Sequence, residues 1–489
     1  MNKIFPLVAI GESPVRDKSL GLQGGEDEPL YAIQKKIYPR AISGWFASWR
    51  WVLIFATQLV YYGTPWLAWN DRQAVLFDLA ARKFYIFGVV FWPQDFIYLT
   101  VLLLIAAFSL FLFTAVAGRL WCGYACPQTV YTEIFLWLER KIEGDFIARK
   151  KLDEAPVSAR KLGLKGLKHG VWIGLSLWTG ATLVGYFVPI HDLVGSVLYW
   201  SVEPWEVFWI LFYGFATYGN AGWLREQVCK YMCPYARFQG AMFDRDTLVI
   251  TYDEGRGEAR GARGKKADYK ANGLGDCVDC NICVQVCPTG IDIRDGQQYE
   301  CIGCAACIDG CNQVMDKMGY QRGLIRYATL NSVDNNYGWG EMMKRVLRPR
   351  VVFYTVLLWA IIIATGVTLW YRVPVKVDVI RDRGSMSREV EGGLIENVYR
   401  LHVMNTQEKA QRFVVQVTGI RDIQIAGLKQ PVEIGPATAK TIALNVRVDP
   451  ANMTKGTTRV EFLITAVDAS GNEMPEHFSI HEKATFFNR

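Results

Sequence analysis

The hydrophobic residues of this chain form long uncharged runs up to about residue 370 and short alternating runs beyond it. An uncharged run of about twenty residues is long enough to cross the ~30 Å hydrocarbon core of a bilayer as an α-helix. Five runs predict membrane spans, at Trp51–Trp69, Phe96–Gly118, Gly170–Ile190, Pro204–Leu224 and Val351–Trp370. A shorter apolar stretch, Phe84–Trp92, predicts an interfacial or re-entrant piece.

From Val375 onward, apolar and polar residues alternate in short runs separated by turn residues, a pattern that predicts β-strands. The predicted strands are Lys376–Ile380, Ile395–Met404, Arg412–Thr418, Thr441–Val448, Arg459–Val467 and His477–Phe487. Six or seven strands in about 115 residues favour an immunoglobulin-like sandwich. This part of the sequence lacks the Cys…Trp…Cys core of antibody domains, so the pattern predicts only the architecture.

The composition agrees with a membrane protein, since 51% of the 489 residues are hydrophobic and 17 are Trp. Lys and Arg are dense before residue 44, in 119–169 and in 225–350, but sparse in 70–95 and 191–203. Because cytoplasmic loops carry the excess of Lys and Arg, the N-terminus and residues 225–350 are predicted to be cytoplasmic and residues after 372 to be outside. The same loops account for the net charge of +7, so no nucleic-acid partner is predicted. The polar first forty residues lack the apolar core of a cleavable signal peptide, so the first span is expected to act as an uncleaved anchor.

Eight of the twelve cysteines form two copies of the pattern C-x2-C-x2-C-x3-C, between residues 277 and 311. In two-cluster bacterial ferredoxins, three cysteines of such a run bind one 4Fe–4S cluster and the fourth binds the other cluster. The runs therefore predict two 4Fe–4S clusters. The first would be held by Cys277, Cys280, Cys283 and Cys311, and the second by Cys301, Cys304, Cys307 and Cys287.

Structural zinc is the alternative for these cysteines, because zinc sites also use C-x2-C pairs. Zinc sites separate two such pairs by a longer loop, whereas this chain places four thiols in eleven residues and repeats the arrangement. Iron–sulfur binding is therefore favoured. Pro288 follows the first run but Asn312 follows the second, which predicts a different chain path after the second loop.

The other four cysteines form a second repeat, C-x3-C-P, at the cytoplasmic ends of the second and fourth predicted spans. The i, i+4 spacing places both sulfurs of a pair on one helix face, and the following proline favours a helix end there. Soft sulfur ligands select Cu(I), zinc or an iron–sulfur cluster, and a redox-active dithiol pair or buried structural cysteines are the other possibilities. The basic residues Arg119, Arg225 and Lys230 are expected to lower the thiol pKa values. The candidate metal or redox site consists of Cys122, Cys126, Cys229 and Cys233.

Together these patterns predict a multi-domain membrane protein. Its fold class is an α-helical transmembrane bundle of about five spans, with a cytoplasmic two-cluster ferredoxin-like α+β insert and a C-terminal all-β immunoglobulin-like sandwich. The predicted parts are a cytoplasmic N-terminal arm (1–43), transmembrane helices 1–4 with both C-x3-C-P motifs (44–250), a basic Gly-rich linker (251–275), a dicluster ferredoxin domain (276–345), transmembrane helix 5 (346–372) and a periplasmic domain (373–489).

Several segments taken together resemble one family. They are Tyr38-Pro39-Arg40, Trp121–Gln128, Cys229–Gln239, the double ferredoxin run and Met315–Tyr327. These segments are similar to the CcoG/FixG/RdxA family of bacterial cytochrome c oxidase accessory proteins, and the resemblance covers nearly the whole chain, including a FixG-type immunoglobulin-like domain. It implies a multi-pass protein of the bacterial inner (cytoplasmic) membrane that is needed to mature the high-affinity C-type cytochrome c oxidase. It also implies reduction of Cu(II) to Cu(I) for the copper site of that oxidase. Only the eight ferredoxin and four C-x3-C-P cysteines carry over residue by residue.

The leading hypothesis is an oxidoreductase that acts as a cupric reductase. An unidentified cytoplasmic donor or quinol would reduce the two clusters, and Cu(II) held at or near the C-x3-C-P cysteines would accept single electrons. No catalytic residue is identified. The implied partners are the copper ion and the oxidase or its copper-delivery factors. Two alternatives stay open: an electron-relay subunit of a quinol-linked respiratory complex, or a non-catalytic assembly factor whose external sandwich docks the oxidase.

Overall fold

The structure is a computed structural model that describes residues 36–373, 375–382, 387–467 and 479–488. Most of the predicted N-terminal arm, residues 1–35, and the start of the predicted strand His477–Phe487 lie outside the described residues. The chain forms two compact units. Of the described residues, the first unit comprises 36–60, 106–181 and 208–357, and the second comprises 61–105, 182–207 and those from 358 onward.

The α-helices of the described residues are α1 (Trp45–Gly63), α2 (Phe96–Ala117), α3 (Leu120–Tyr124), α4 (Pro127–Glu143), α5 (Phe146–Glu154), α6 (Ala159–Val184), α7 (Ile190–Leu198), α8 (Pro204–Thr217), α9 (Pro234–Phe238), α10 (Glu254–Gly257), α11 (Ile282–Gln285), α12 (Ala306–Met318), α13 (Leu330–Asn335), α14 (Trp339–Val346) and α15 (Pro349–Trp370). Two π-helical turns, Tyr218–Leu224 and Val228–Met232, follow α8. The strands are β1 (Ala68–Trp69), β2 (Arg72–Gln73), β3 (Val75–Asp78), β4 (Lys83–Ile86), β5 (Val89–Phe91), β6 (Val249–Tyr252), β7 (Ile325–Ala328), β8 (Val375–Arg381), β9 (Arg388–Val390), β10 (Leu394–Asn405), β11 (Gln411–Thr418), β12 (Gln424–Ala426), β13 (Val432–Ile434), β14 (Ala439–Val448), β15 (Gly456–Val467) and β16 (Ser479–Asn488).

Two helical segments of the described chain are long and apolar enough to cross a membrane, by length and composition. They are Pro93–Ala117 and Pro349–Trp370, which correspond to the second and fifth predicted spans. The other three predicted spans are helical with different limits. Helix α1 ends at Gly63, just before Pro65, and Pro189 separates α6 from α7, because proline cannot continue a helix. The five-span arrangement stays a prediction.

The interpretation of Phe84–Trp92 as an interfacial or re-entrant piece was wrong. Strands β3, β4 and β5 form an antiparallel sheet in which Phe84 lies opposite both Phe77 and Phe91. The stretch is rich in β-branched and aromatic residues, which favour strands, and Gly88 lies between β4 and β5. Hydrophobicity alone does not distinguish a short buried strand from a short membrane segment.

The loops around this small sheet are bound to the C-terminal domain within the second unit. Buried Asp95 accepts hydrogen bonds from Arg372 at 2.6 Å and from Lys376. The carboxylate of Glu408 is likewise paired with Arg72. These contacts are expected if residues 70–95 and the domain after residue 372 lie on one side of a membrane, as the charge pattern predicts.

The C-terminal domain is a sandwich of two antiparallel sheets, as predicted. One sheet has the order β12-β14-β10-β8, with β9 also paired to β10, and the other has the order β13-β11-β15-β16. All six predicted strands are present, and their described ends are shifted by up to three residues, but the short strands β9, β12 and β13 were not predicted. Alternate residues of β10 and β15, such as Tyr399, Leu401, Phe462 and Ile464, are buried between the sheets. The period-2 pattern of the sequence therefore marks the core correctly.

Replacement of Tyr399 by phenylalanine tests this core. The buried hydroxyl of Tyr399 donates a hydrogen bond at 2.8 Å to the carbonyl oxygen of Thr485, which crosses from one sheet to the other. Leaving that carbonyl unpaired is expected to cost about 1–2 kcal/mol. Hydrogen exchange at the amides of β10 and β16 in the full chain should accelerate accordingly. The control Tyr371→Phe, at a largely exposed residue, should leave exchange unchanged.

Residues 251–275 are not the free basic linker that their composition predicted. Strand β6 pairs with β7, which follows the second cysteine run, so the ferredoxin region begins before residue 251. Arg263 donates hydrogen bonds to the carbonyl oxygens of Cys277 and Gly275, and the amide of Gly261 donates to the same Cys277 carbonyl. Arg263 thus satisfies backbone carbonyls at the start of the first cysteine run.

Candidate functional site

The first cysteine run folds as a tight loop around a cavity. Asp279 and Asn281 adopt left-handed backbone conformations, with φ of 50° and 54°, and turn the chain just before α11. The cavity holds about 320 Å³ of atom-free space, part of it open to solvent. Its lining includes Cys277, Cys280, Cys283 and, from the second run, Cys311. These are the four thiols of the first predicted cluster, and one cavity lined by four cysteines suits a 4Fe–4S cube.

The second run repeats the same local structure. Ala305 is left-handed, with φ of 60°, directly before α12, as Asn281 is before α11. The remaining four predicted ligands are also neighbours: each of Cys301, Cys304 and Cys307 lies within electrostatic reach of Cys287 from the first run. The structure therefore brings together both predicted ligand sets, including both cysteines that cross between the runs.

The departure at Asn312 has a structural reason. Cys287 and Pro288 lie beyond the end of α11, whereas Cys311 and Asn312 lie inside α12. A proline at position 312 would interrupt α12, and the Asn312 side chain instead accepts a hydrogen bond from the amide of Gly323 at 3.0 Å. The chain path after the second loop does differ from that after the first.

The four C-x3-C-P cysteines come together between two segments of the first unit. Cys122 lies within electrostatic reach of Cys126, Cys229 and Cys233, and all four thiols are partly buried. Both motifs have the same form, because Cys126 and Cys233 are extended N-cap residues and the prolines after them begin α4 and α9. The predicted four-cysteine group is therefore present in the fold.

Side-chain hydrogen bonds hold the two motif segments together. The amide nitrogen of the Gln128 side chain donates to the carbonyl oxygens of Asn220 and Arg225, at 2.9 and 3.0 Å. The hydroxyls of Thr114 and Tyr235 are also hydrogen-bonded to each other. These bonds hold in place the chain segments that carry the four thiols.

None of these cysteine groups is preformed around a single metal ion. Within the described residues, no three His, Cys, Asp or Glu side chains lie close enough to hold one ion. A tetrahedral zinc site needs its thiolates about 2.3 Å from the metal, which brings the sulfurs almost into contact with one another. At the ferredoxin runs, each group joins three cysteines of one run to the fourth cysteine of the other, which is the ligand arrangement of a two-cluster ferredoxin.

The four-cysteine group lies against the second ferredoxin loop. Cys122 and Cys229 pack on the small buried cluster that contains Cys304. Buried Arg119 donates to the carbonyl oxygen of Cys301 and to that of Ala236, both at 3.0 Å, and so joins the ferredoxin loop to both motif segments. No comparable link to Cys280, on the exposed side of the first run, is found among the described contacts. The second predicted cluster is therefore the one beside the group.

Gly123 determines how closely the first motif segment approaches the second ferredoxin loop. A Cβ atom at residue 123 would lie 2.7 Å from the carbonyl oxygen of Gly303 and 2.9 Å from the Cα of Cys304, both backbone atoms. Gly123→Ala is expected to push the ferredoxin loop away without changing any ligand, and to slow electron passage between the second ferredoxin site and the four-cysteine group about tenfold. Rapid-freeze EPR of the reduced chain after mixing with an oxidant measures this. Gly166→Ala, where a Cβ meets no neighbour within 4 Å, is the matched control.

Arg119 lowers the pKa values of the Cys122 and Cys229 thiols, as expected, but the net shift of both is upward. Burial raises the pKa of the Cys122 thiol to about 12 and that of Cys229 to about 11, and the opposing effect of Arg119 is smaller. The sequence shows which charges are near in the chain, but not how much water the fold removes.

A buried ionic network joins α4 to the segment that carries Cys229, and the sequence patterns did not predict it. Glu139 is 1% exposed and accepts hydrogen bonds from Arg149 at 3.0 Å and from Arg225 at 3.1 Å, while Lys168 lies 3.7 Å away. Burial raises the pKa of Glu139, but the three cations outweigh this effect and hold it below its usual value. Because Arg225 belongs to the segment that carries Cys229, the network anchors that segment to α4.

Comparison with known proteins agrees with this architecture. Residues 224–330 match a family model described as a 4Fe–4S dicluster domain, residues 99–144 match a 4Fe–4S binding domain, and residues 365–489 match an IG-like fold at the C-terminus of FixG. The chain is 38% identical to the nitrogen fixation protein FixG of Rhizobium meliloti, over 91% of this chain and 92% of that protein. The chain belongs to the FixG/RdxA family.

A second member of the family, protein RdxA of Cereibacter sphaeroides, is 39% identical over 88% of this chain and 96% of that protein. Among solved structures, a FixG-related protein from Vibrio parahaemolyticus is 26% identical, with a TM-score of 0.20. The match covers 24% of this chain and 97% of the Vibrio chain. The chain is thus a ferredoxin-type 4Fe–4S electron-transfer protein of this family, and its two membrane-length helices are consistent with a membrane protein.

Proposed function

We propose that this chain passes single electrons through its two ferredoxin sites to Cu(II), and that the resulting Cu(I) serves maturation of the high-affinity C-type cytochrome c oxidase. The observation that carries the electron route is the packing of Cys122 and Cys229 on the buried cluster that contains Cys304. Bound 4Fe–4S clusters supply one-electron carriers, which match a metal reduction that takes one electron.

The protein's residues give the two ferredoxin sites different surroundings. Cys280 of the first site is exposed, so an external donor can approach it there. At the second site no cysteine is exposed, since Cys304 is buried and Cys287, Cys301 and Cys307 are half-buried, and burial raises the pKa of the Cys301 thiol to about 12. This asymmetry supports electron entry at the first site and exit at the second, toward the four-cysteine group where Cu(II) would be reduced.

Chain connectivity supports a membrane location. The chain passes between the compact units five times, at residues 60–61, 105–106, 181–182, 207–208 and 357–358. Each passage falls within one of the helices α1, α2, α6, α8 and α15. Five crossings agree with the five predicted spans, with the cysteine sites in the cytoplasm and the C-terminal sandwich in the periplasm, where it would meet the oxidase or a copper-delivery factor.

Copper reduction by the purified, anaerobically reduced full chain tests the proposal. Wild-type protein should convert Cu(II) to Cu(I), measured with a Cu(I)-specific chelator, in proportion to the electrons it carries. Cys304→Ser, which removes a ligand of the second site, should abolish this conversion, because electrons from the first site lose their path. Arg322→Gln, at a largely exposed residue of the same domain, is the control and should retain it.

Failure of the wild-type protein to reduce Cu(II), together with stable co-purification of a catalytic subunit, would contradict the proposal and favour the electron-relay hypothesis. A different result would favour the assembly-factor hypothesis: oxidase maturation that survives loss of both ferredoxin sites but fails when residues after 372 are deleted.

A further inference from the structure

The region around the first C-x3-C-P motif matches a 4Fe–4S binding domain, but it holds too few ligands for a cluster. Residues 99–144 contain only two cysteines, Cys122 and Cys126. A 4Fe–4S cluster of the ferredoxin type is held by four cysteines. A cluster in this region therefore needs two more thiols from elsewhere in the chain.

The fold supplies those two thiols from the second motif. Cys229 and Cys233 are the electrostatic neighbours of Cys122, and every other cysteine belongs to a ferredoxin run. The bonds from Gln128 to the carbonyls of Asn220 and Arg225 hold the second segment in place. The repeated local form of the two motifs, with cysteine at the N-cap and proline after it, gives two matched pairs of ligands.

We propose that Cys122, Cys126, Cys229 and Cys233 bind a third iron–sulfur cluster of the 4Fe–4S type. On binding, the four thiols each lose a proton and form an iron–sulfur bond. As at the ferredoxin runs, four thiols from two chain segments are neighbours, which is the number of ligands that a 4Fe–4S cluster needs. The Cys126 sulfur also accepts hydrogen bonds from the backbone amides of Gln128 and Thr129 at the start of α4, the kind of contact that tunes cluster potentials.

The position of this site deepens the proposed function and rests on its electron route. The site lies against the second ferredoxin loop at Gly123 and Arg119, so its cluster is the last carrier before the electron leaves the protein. Each electron that leaves it converts one Cu(II) to one Cu(I). Copper is then a substrate at the surface of the group and is not retained on these thiolates.

Iron and sulfide analysis of the anaerobically purified full chain tests the third cluster. Wild-type protein should contain about twelve iron atoms and twelve sulfides per chain, and the double variant Cys122→Ser/Cys229→Ser about eight, because each 4Fe–4S cluster contributes four. Cys280→Ser should lose the signal of the first ferredoxin site and keep that of the third cluster. EPR spin counting gives the same answer without any variant. Reduced wild-type protein should show about three spins per chain if the third cluster is present and about two if it is absent.

A content of about eight iron atoms per wild-type chain would overturn the third cluster. The third cluster would also be overturned if the wild-type chain held one copper ion that the double variant lacked. Parallel measurement of copper reduction separates the two proposals. If the double variant loses copper reduction but no iron, the group is the exit site without a cluster. If it loses iron and still reduces Cu(II) at the wild-type rate, the third cluster stands and the proposed exit fails.

Discussion

Replacement of Glu139 by glutamine is expected to destabilise the first unit by about 3–5 kcal/mol, because it leaves buried cations without their counter-charge. Glu139 and Arg149 are both 1% exposed, and Glu139 also pairs with Arg225. Removing one partner of a buried ion pair costs far more than the pair itself contributes. Thermal or denaturant unfolding of the detergent-solubilised chain, followed through loss of the ferredoxin signal, measures the effect.

The control for this change is Glu154→Gln. Glu154 is two-thirds exposed and pairs with Lys150 at 3.9 Å, one helical turn away, so its loss should change stability by less than about 0.5 kcal/mol. The network should also respond to acid. Since the folded-state pKa of Glu139 lies below its unfolded value of about 4.3, its contribution is present above that pH and is lost as the pH falls through the folded value. Equal stability of the two variants at neutral pH would contradict the role of the network.

Arg50→Gln is expected to lower the reduction potential of the second ferredoxin site by about 60 mV or more, which corresponds to about 1.4 kcal/mol for one electron. Arg50 is buried at the start of α1, and Cys304 is the anionic group with the largest effect on it. A fixed positive charge favours the reduced, more negative form of a cluster. At the first site, the corresponding Arg294 is neutralised by Asp292 and Asp279, at 2.6 and 2.7 Å.

The second site should therefore have the higher potential, which directs electrons from the exposed site to the less exposed one. EPR-monitored redox titration resolves the two potentials. Arg322→Gln removes a charge of the same type from the surface, where Asp316 already pairs with it, and should leave both potentials unchanged. A second-site potential that does not move in Arg50→Gln, or that lies below the first, would contradict the proposed direction of electron flow.

The sequence predicted the C-terminal sandwich well because period-2 alternation directly reflects one buried face. Each of the five strands predicted between Lys376 and Val467 was located to within three residues, but the short strands β9, β12 and β13 were not predicted. The small sheet at residues 75–91 was misread, because its strands are short and apolar and lie between two predicted spans. The basic segment 251–275 was misread as a linker, because composition does not show that Arg263 bonds to backbone carbonyls.

At the candidate site, the repeated cysteine motifs made the ligand groups predictable from the sequence. The spacing of the runs placed Cys311 with the first group and Cys287 with the second, and the structure brings together those same sets. The sequence could not show the surroundings of the thiols. Arg50 lies far from the cysteines in the chain, and only the packing of α1 brings it to the second ferredoxin site. The ionic network of Glu139 likewise depends on contacts with Arg149 and Arg225 that the sequence does not show. The raised thiol pKa values have the same origin, because burial is a property of the fold.

The most direct test of the electron route is a single-turnover experiment. The reduced full chain is mixed anaerobically with Cu(II), and reoxidation is followed by the visible absorbance of its iron–sulfur clusters. The account predicts rapid reoxidation in the wild type, with one Cu(I) formed per electron, and very slow reoxidation of the two intact ferredoxin sites in Cys122→Ser/Cys229→Ser. Equal reoxidation rates in the two proteins would contradict it, because electrons would then reach Cu(II) without passing through the four-cysteine group.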